Sequence, residues 1–348
     1  MSSLHLIDRP DPLAVPADAV AWLRELDGPT AIRVPGRDSS RLRVAVTLLH
    51  GNEPSGLRAV QAWLRSDAVP ATDTLLVLGA IDAALAEPVL TTRQLPGAPD
   101  LNRVFAFPDQ ATKHGRFAQA LLELIADPRT EALIDLHNNS GRNPAYGVIQ
   151  RADPAESVLV GLFADTAVVY GLRLGALIEL TADQLPSAVI ECGLAGDPAA
   201  DAVAHHGLQR FLGEDDLLDR LPPPLRVLGD PVRVEVAAGV TVAFDAEAVD
   251  GRAREGSAQL LLDSAIDRLN FAAVSAGTVL GSVAAGAPWP LVARGADGRD
   301  RSRELFAVEG SRLVTLCELT PIMMTTSPAI AHSDCVFYAT SPRAKLST

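Results

Sequence analysis

Short apolar runs alternate with longer segments of helical periodicity through the first two-thirds of the chain, and this alternation restricts the fold more than any other feature of the sequence. Four such runs are Arg43–Leu49, Thr74–Ile81, Ala132–Leu136 and Ser187–Ile190. Their apolar residues follow one another rather than alternating with polar ones, which is typical of strands buried on both faces of a sheet. Because helical segments separate these runs, the sequence predicts an α/β fold with a mixed, mostly parallel sheet flanked by helices.

A proline-rich segment, Leu221–Leu225, marks the predicted domain boundary. Consecutive prolines can continue neither a helix nor a central strand. Beyond this segment, short strand candidates are separated by Gly, Asp and Pro turns, and one longer helical pattern covers Ser257–Leu269. We therefore predict an α/β domain over residues 1–220 and a smaller β-rich domain over residues 222–348.

The overall charge and the cysteine content narrow the class of protein. The 348 residues carry a formal net charge of −13, which argues against a nucleic-acid or anionic-membrane surface because both require clustered Lys and Arg. The N-terminal segment lacks a basic start followed by an apolar run, and no stretch reaches roughly 18 uninterrupted apolar residues, so neither a signal peptide nor a membrane helix is predicted. Three cysteines without CxxC spacing fit no disulfide framework and indicate a reducing, cytoplasmic location.

Two strand ends carry candidate metal ligands. His50 and Glu53 stand three residues apart after one apolar run, and alone such a short motif is more often part of an exposed loop. His137 follows another run, and by itself it would be interpreted as a structural core histidine. Together they form a set of two histidines and one carboxylate. Catalytic zinc is bound by three such protein ligands and keeps its fourth position open for water or substrate. Iron, cobalt and manganese accept the same set.

Two glutamates are candidates for the base that such a site requires. Glu191 ends a third apolar run, where it could take a proton from water and pass it to a leaving amine. Glu179 competes for this role, and the sequence separates the two only weakly. The ligand candidates and Glu191 all follow the carboxyl ends of apolar strands, and sites in open α/β sheets gather at those ends.

The segment Asp100-Leu101-Asn102-Arg103 supplies candidate substrate-binding residues. The planar guanidinium of Arg103 can hold a carboxylate with two hydrogen bonds, and Asn102 can add another donor. Taken alone, the segment is also compatible with a solvated loop. Arg93 precedes it and could either polarise a scissile carbonyl or remain exposed.

Four motifs together resemble the succinylglutamate desuccinylase/aspartoacylase family, a branch of the zinc carboxypeptidase superfamily. They are HGNE at His50–Glu53, DLNRVF at Asp100–Phe105, DLHNNS at Asp135–Ser140 and ECG at Glu191–Gly193. Their order and rough spacing match the family over about residues 40–200, and Ser333–Tyr338 looks more faintly like the family's closing strand. The resemblance implies a zinc-carboxypeptidase-like α/β sheet with a smaller C-terminal β-rich domain.

The resemblance also implies a metal centre with its catalytic groups. One zinc ion per chain would be bound by His50, Glu53 and His137. Glu191 would act as general acid and base. Asp100 would hydrogen-bond a zinc-bound histidine from behind, which fixes the orientation of the ring.

Four further residues match substrate-handling positions of the family. Asn102 and Arg103 would hold a substrate carboxylate. Arg93 looks like the family's carbonyl-polarising arginine, although it stands two residues further from the DLNR motif than expected. Tyr338 matches a C-terminal tyrosine that reaches into the site.

One position departs from the family pattern. Aspartoacylase proper has an additional substrate-binding arginine about ten residues before the base, and here that place falls near Thr181, with acidic Asp183 close by. Arg142 or Arg173 could substitute. We therefore do not expect N-acetylaspartate or succinylglutamate to be the substrate.

The residues and the resemblance together predict a metal-dependent hydrolase that cleaves the amide bond of a small N-acyl amino acid or a related acyl-amine. A zinc carboxypeptidase acting on peptides and a non-catalytic binding protein of the same fold are the alternatives. The β-rich domain is expected to narrow the entrance and so to favour small substrates. The expected partner is a small-molecule acyl-amide rather than nucleic acid or a membrane, and family habit suggests a homo-oligomer.

Overall fold

The computed structural model describes residues 4–139, 141–171, 173–246, 248 and 258–342. Within these residues, twelve strands form one large sheet and five form a second sheet. Helices flank the large sheet. The predicted mixed α/β fold with a mostly parallel sheet and a separate β-rich part is confirmed.

The strands are numbered in chain order. Those up to residue 236 are β1 (His5–Asp8), β2 (Thr30–Val34), β3 (Asp38–Thr47), β4 (Thr72–Leu78), β5 (Thr130–Asn139), β6 (Tyr146–Ile149), β7 (Thr166–Val169), β8 (Ser187–Leu194) and β9 (Arg226–Val236). The later strands are β10 (Val242–Asp245), β11 (Leu260–Asp263), β12 (Val279–Val283), β13 (Leu291–Arg294), β14 (Phe306–Glu309), β15 (Arg312–Thr315), β16 (Thr320–Ile322) and β17 (Phe337–Pro342).

The helices are short apart from three. They are α1 (Ala19–Arg24), α2 (Ser55–Leu64), α3 (Ile81–Ala84), α4 (Lys113–Ile125), α5 (Pro154–Gly161), α6 (Leu177–Thr181), α7 (Pro198–Gly213), α8 (Ser302–Leu305) and α9 (Pro328–Ser333), with 3₁₀ turns at Leu101–Arg103 and Ile266–Leu269. Among the residues described, none of these helices combines the length and the apolar character that a bilayer crossing requires.

The centre of the large sheet is a parallel block of four strands in the order β4-β3-β5-β8. Parallel pairing brings the carboxyl ends of β3, β5 and β8 to the same edge of the sheet. His50 follows β3, His137 lies near the end of β5 and Glu191 lies near the end of β8. The sheet continues with β6, antiparallel to β8, and then with β7 and β9.

Alternation along β5 sends its side chains into two different layers. Ile134 and Leu136 belong to a hydrophobic core that includes residues of α2, α5 and α7. Leu133 belongs to a core on the opposite face, together with residues of α4. Asp135 and His137 continue on the face of Leu133, so this face becomes polar where the strand approaches its carboxyl end.

The chain after Leu225 contributes to both sheets. Strands β10, β11, β12, β15 and β14 form the second sheet, and their buried residues share one hydrophobic core with residues of β9, β13 and β17. Strands β9, β13, β16 and β17 instead extend the large sheet beyond β7. The division at residues 220–222 stays a prediction.

The helix predicted over Ser257–Leu269 is wrong at Leu260–Asp263, whereas Ile266–Leu269 form a 3₁₀ turn. Ser257 lies outside the described residues. Residues Leu260–Asp263 form β11, which is paired on one side with β10 and on the other with β12. Its three leucines are buried. Pairing on both edges of the strand outweighs the local helical preference of a leucine run.

A fully buried arginine joins the central strands to the last turn of α7. Arg43 on β3 has 0% exposure, and its Nε lies 2.5 Å from Oε1 of Glu131 on β5. Its Nη1 donates to the carbonyl oxygens of Phe211 and Glu214, at 2.7 Å each. These carbonyls lie at the C-terminal end of α7, where backbone acceptors are left without helical partners and a cation is favourable.

We expect Arg43→Met to lower the free energy of unfolding by about 3 to 5 kcal/mol, because it strands Glu131 and buried carbonyl groups without their partner. Arg37→Met is the matched control. Arg37 contacts Asp215 beyond the same helix end at 2.6 Å, but these side chains are 49% and 67% exposed, and such pairs contribute about 0 to 1 kcal/mol. Urea denaturation measures both losses, and two equally small values would contradict the role assigned to Arg43.

Glu156, in the first turn of α5, is a buried carboxylate remote from the predicted ligands in sequence. Its Oε2 accepts a hydrogen bond from the backbone nitrogen of Arg151 at 3.0 Å, whereas Oε1 is buried without a hydrogen bond among the described residues. Burial raises the pKa of Glu156 from 4.5 to about 7. Folding therefore favours the protonated carboxyl.

This pKa predicts that Glu156 lowers the stability of the protein as the pH rises from 4.5 to 7, because the folded state then holds a proton that the unfolded state has lost. At pH 8, Glu156→Gln should therefore be more stable than the parent by about 1 to 3 kcal/mol. Below pH 4.5 the difference should vanish. Unfolding measured across this range tests the prediction, with Glu123→Gln on the exposed face of α4 as control. A pH-independent difference for Glu156→Gln would refute it.

Candidate metal centre

The turn after β3 carries two of the predicted ligands, and tight packing fixes its path. Leu48 is buried and adopts a left-handed backbone conformation with φ of 57°, so the chain leaves the strand sharply. A Cβ at Gly51 would lie 2.4 Å from the backbone nitrogen of Ala84, which only glycine avoids. The backbone nitrogen of Gly51 donates to the carbonyl oxygen of Arg93 at 3.0 Å.

The structure brings His50, Glu53 and His137 together. The carboxylate of Glu53 lies between the two rings, with Oε1 2.9 Å from Nδ1 of His50 and Oε2 2.7 Å from Nδ1 of His137. All three side chains are buried. One ligand atom from each residue lies within 4.8 Å of the others, so the three can reach a single ion.

An aspartate holds each histidine from behind. Nε2 of His50 lies 2.9 Å from Oδ1 of Asp100, and Nε2 of His137 lies 2.9 Å from Oδ2 of Asp135. Carboxylates in this position fix the tautomer and the orientation of metal-binding rings. The contact of Asp100 is the one predicted, whereas sequence reasoning missed Asp135. Its spacing from His137 could have revealed it, because residues two apart on a strand share a face.

The charges of the cluster control its protonation. Burial alone would raise the pKa of Glu53, but the two histidines hold it well below its usual range. Burial alone would lower the pKa of His137, but Asp135 and Glu53 raise it well above its usual value. The cluster thus concentrates negative charge that either protons on the imidazoles or a bound cation must balance.

Strand pairing brings Glu191 beside the cluster. Glu191 is the register partner of His137 on β5 and of Tyr146 on β6, so the three side chains share one face of the sheet at adjacent positions. Its Oε2 is buried and has no hydrogen-bond partner among the residues described. Burial raises the pKa of Glu191 to about 8, which suits a group that exchanges protons near neutral pH.

Glu179, the competing base, is occupied by the backbone. Its Oε1 accepts a hydrogen bond from the nitrogen of Leu174 at 2.7 Å, and its Oε2 accepts one from the nitrogen of Gly175 at 2.9 Å. Both oxygens thus support the loop before α6. Of the two glutamates, this leaves Glu191 as the one with a carboxylate oxygen free of such a structural contact.

Arg93 lies at the margin of the cluster. Its Nη2 is 2.8 Å from Oδ2 of Asp100, and its Nη1 is 3.4 Å from Oε1 of Glu53. Burial would lower the pKa of Arg93, but the charges of Glu53 and Asp100 raise it, so the guanidinium stays charged. The side chain remains 42% exposed and is therefore accessible to a substrate.

The other two residues of the DLNR segment differ in burial. Asn102 is buried, and its Oδ1 accepts a hydrogen bond from the nitrogen of Leu177 at 3.0 Å. This contact leaves the amide NH₂ as the group that can donate to a ligand. Arg103 is exposed, and its Nη1 donates to the carbonyl oxygen of Asn102 at 2.8 Å. Their substrate-binding roles stay predictions.

Tyr338 lies on β17 in a buried aromatic cluster. Its hydroxyl accepts a hydrogen bond from the hydroxyl of Tyr170 at 3.2 Å, and the two rings are 5.7 Å apart in an edge-to-face arrangement. Tyr170 follows the end of β7 directly. Because β7 is parallel to β6 and β6 is antiparallel to β8, this end of β7 lies towards the amino end of β8 rather than beside Glu191. The reach of Tyr338 into the site stays a prediction.

The two candidates for the absent substrate arginine are both exposed. Over the described part of the chain, no hydrogen bond or ion pair links the side chain of Arg142 or Arg173 to the ligand cluster. Thr181 is buried in α6, and its hydroxyl contacts the carbonyl oxygen of Leu177 at 3.4 Å. Thr181, near which the additional arginine of aspartoacylase was expected, therefore faces the protein interior.

Comparison of the sequence with protein-family models and with curated proteins finds no match. Solved structures do match. The chain superimposes on succinylglutamate desuccinylase from Chromobacterium violaceum with a TM-score of 0.56 and 13% identity, over 89% of this chain and 87% of that one. A succinylglutamate desuccinylase/aspartoacylase from Rhodobacter sphaeroides gives a TM-score of 0.54 and 13% identity, over 92% and 96% of the two chains.

Murine aminoacylase 3 is a third similar structure, with a TM-score of 0.50 and 15% identity over 88% of this chain and 97% of that one. At such low identity the likeness concerns the fold. The chain has the fold of succinylglutamate desuccinylase/aspartoacylase structures over most of its length, as the four motifs predicted.

We expect Asp135→Asn to weaken binding of a divalent metal by about 10- to 100-fold, because the amide no longer supports His137 as a carboxylate does. Glu179→Gln is the matched control, since it makes the same change in a buried carboxylate that contacts only backbone nitrogens. Competition with a chromogenic chelator measures both affinities. If the two variants bind the metal equally well, the role given to Asp135 is wrong.

Proposed function

We propose that this protein is a zinc-dependent amidohydrolase that cleaves the amide bond of a small N-acyl amino acid or a related acyl-amine, in the manner of the succinylglutamate desuccinylase/aspartoacylase family. The observation that carries the proposal is the convergence of His50, Glu53 and His137 beside Glu191 at one edge of the sheet. The fold shared with desuccinylase and acylase structures supports it.

The ligand set fits zinc. Two imidazole nitrogens and one carboxylate are common protein ligands of catalytic zinc, and the aspartates behind the rings are the usual supporting groups. The cluster is also buried and negatively charged, which favours a cation. When bound, zinc supplies Lewis acidity that polarises a substrate carbonyl and acidifies water.

Glu191 moves the protons in this proposal. Its carboxylate takes a proton from the attacking water and then delivers it to the departing nitrogen, so that the amide is released as an acid and an amine. Burial next to His137 supports this role, because it raises the pKa of Glu191 towards the pH at which the reaction runs. The unpartnered Oε2 is available for this exchange.

Arginines orient the substrate and stabilise its developing charge. Arg93, fixed by Asp100, is close enough to Glu53 to donate to the oxygen of a carbonyl that approaches the metal ligands. Arg103 donates to a backbone carbonyl, and among the described contacts it pairs with no carboxylate. Its guanidinium is therefore the better candidate for the substrate carboxylate.

The charges around the site favour a substrate with a single carboxylate. Arg93 is already balanced by Asp100 and Glu53, which leaves Arg103 as the arginine of the DLNR region that can accept one anion. Thr181 cannot supply the charge that a second carboxylate requires. N-acyl derivatives of neutral amino acids are therefore preferred over N-acetylaspartate or succinylglutamate.

Metal analysis followed by a substrate screen tests the proposal. The purified protein should contain close to one zinc per chain, and it should lose activity on chelation and regain it on zinc addition. The screen should vary the acyl and amine halves of N-acyl amino acids separately and include unmodified peptides. Preference for peptides would indicate a carboxypeptidase, and a metal-loaded protein inert towards the whole panel would indicate a binding protein.

Glu191→Gln should retain zinc but lower kcat by about 10² to 10⁴-fold, because the amide cannot carry the proton. Glu179→Gln should leave turnover close to that of the parent, since its contacts are with the loop before α6. Steady-state kinetics and metal content are measured on the same preparations. Full activity of the Glu191→Gln enzyme would exclude Glu191 as the general base.

A further inference from the structure

Helix α2 begins two residues after the ligand Glu53, and its first turn is capped from another strand. The residue at its N-cap position is Pro54, which makes no side-chain cap hydrogen bond. The backbone nitrogen of Ser55 instead donates to Oδ1 of Asn138 on β5, at 3.0 Å. Asn138 thus satisfies one of the donors that a helix leaves free at its start.

Asn138 contacts all three segments that carry the candidate site. Its Nδ2 donates to Oγ of Ser55 at 2.9 Å and to the carbonyl oxygen of Gly193 at 3.1 Å, two residues after Glu191. Its backbone nitrogen donates to Oε2 of Glu53 at 3.3 Å. It follows His137 directly, so one residue links the turn after β3, the end of β5 and the end of β8.

The contacts continue outwards from Ser55 to the neighbouring helix α7. Oγ of Ser55, which is fully buried, donates to Oδ1 of Asp201 on α7 at 2.7 Å. The other carboxylate oxygen of Asp201 accepts from Nη1 of Arg58 on α2, at 2.7 Å. The side chain of Asp201 is 29% exposed, so the series runs from the buried cluster to the surface of the protein.

We propose that Asp201 is a positioning residue for the metal site and that it acts on Glu53 through Ser55 and Asn138. We call this series of hydrogen bonds the Asn138–Ser55–Asp201 relay. The inference rests on the proposed function, because it assumes that Glu53 binds a metal.

The covalent geometry supports this coupling. Only Pro54 separates Glu53 from Ser55, and the ring of this proline fixes its own backbone dihedral φ. Anchoring Ser55 therefore restricts where the carboxylate of Glu53 can lie. A buried hydrogen-bond network of this kind holds its members rigidly only while every member is satisfied. Loss of an outer member of the network should therefore change the position of the Glu53 carboxylate.

Variants of the relay should bind zinc more weakly although they change no ligand and no group that touches a ligand's side chain. Ser55→Ala removes the hydroxyl but keeps the backbone nitrogen that Asn138 caps. Asp201→Ala removes the acceptor from the hydroxyl. We expect each to weaken zinc binding about tenfold, at the lower end of effects seen for groups outside the ligand shell.

Two further variants separate positioning from mere stabilisation. Asp201→Asn keeps an oxygen that can accept from Ser55, so it should restore most of the zinc affinity that Asp201→Ala loses. Asp197→Ala is the matched control on the same helix: it removes the N-cap of α7, whose Oδ1 accepts from the nitrogen of Ala199 at 2.8 Å, and it lies outside the relay. It should lower the unfolding temperature of the chelator-treated protein without changing the affinity for zinc.

The measurements are the zinc dissociation constant, obtained by competition with a chromogenic chelator, and the unfolding temperature with and without zinc. Binding stabilises the folded state according to the affinity, so the zinc-induced increase should be smaller in Ser55→Ala and Asp201→Ala than in Asp197→Ala. If the relay variants bind zinc as tightly as the parent and lose only stability, the inference is wrong while the proposed function stands. If the parent itself binds no zinc, both fall.

Discussion

The arrangement of the site depends on the contacts that the buried carboxylate of Glu53 makes with two histidines. A buried carboxylate is tolerated only when opposite charge and hydrogen bonds compensate for its lost hydration. The imidazoles of His50 and His137 provide this compensation, one to each oxygen. The same arrangement that makes the folded chain electrostatically acceptable is one that can receive a divalent cation.

Further charged side chains surround the two histidines and compensate for their burial. Asp100 and Asp135 balance the rings on the side away from Glu53, and Arg93 in turn balances Asp100. The segment that carries Asp100 lies far from the turn after β3 in sequence, yet it is held against that turn by charge. Carboxylates and nitrogen-bearing side chains thus alternate from the centre of the cluster to its exposed margin.

The two faces of strand β5 carry side chains with different roles in the site. His137 faces the cluster, and the next residue, Asn138, faces α2. Successive residues of a strand point to opposite sides. His137 can therefore bind the metal while the adjacent Asn138 holds the segment that carries Glu53, and the two side chains do not compete for space. A strand end is suited to this task because its backbone is already fixed by pairing with β3 and β8.

The parts of the fold that could be predicted from the sequence are those whose signals are local. The central strands have continuous apolar runs, and the ligands stand at their carboxyl ends, so parallel pairing alone brings them together. The two-residue spacing of Asp135 from His137 was a comparable local signal. It did not identify the role of Asp135, because the sequence alone does not show which side chain an aspartate inside an apolar strand contacts.

Some features of the fold depend on strand pairing and contacts between segments, which the sequence alone does not show. Leu260–Leu262 form a strand because β10 pairs with one edge and β12 with the other, and the leucine run itself carries no sign of either partner. The return of β9 and β17 to the large sheet is equally non-local. The choice between Glu179 and Glu191 also depended on contacts: only the fold shows that two backbone nitrogens of the preceding loop already occupy the carboxylate of Glu179.

The return of the chain to the large sheet bears on the size of the substrate. Tyr338 on β17 pairs with Arg233 on β9, and Arg233 in turn contacts Asp334 at 2.8 Å. The charge of Asp334 also contributes to the raised pKa of Arg93, so this C-terminal segment acts electrostatically on the margin of the ligand cluster. Strand pairing, rather than a flexible linker, holds it there. That this segment narrows the entrance beside Arg93, and so favours a compact acyl-amine over an extended peptide, stays a prediction.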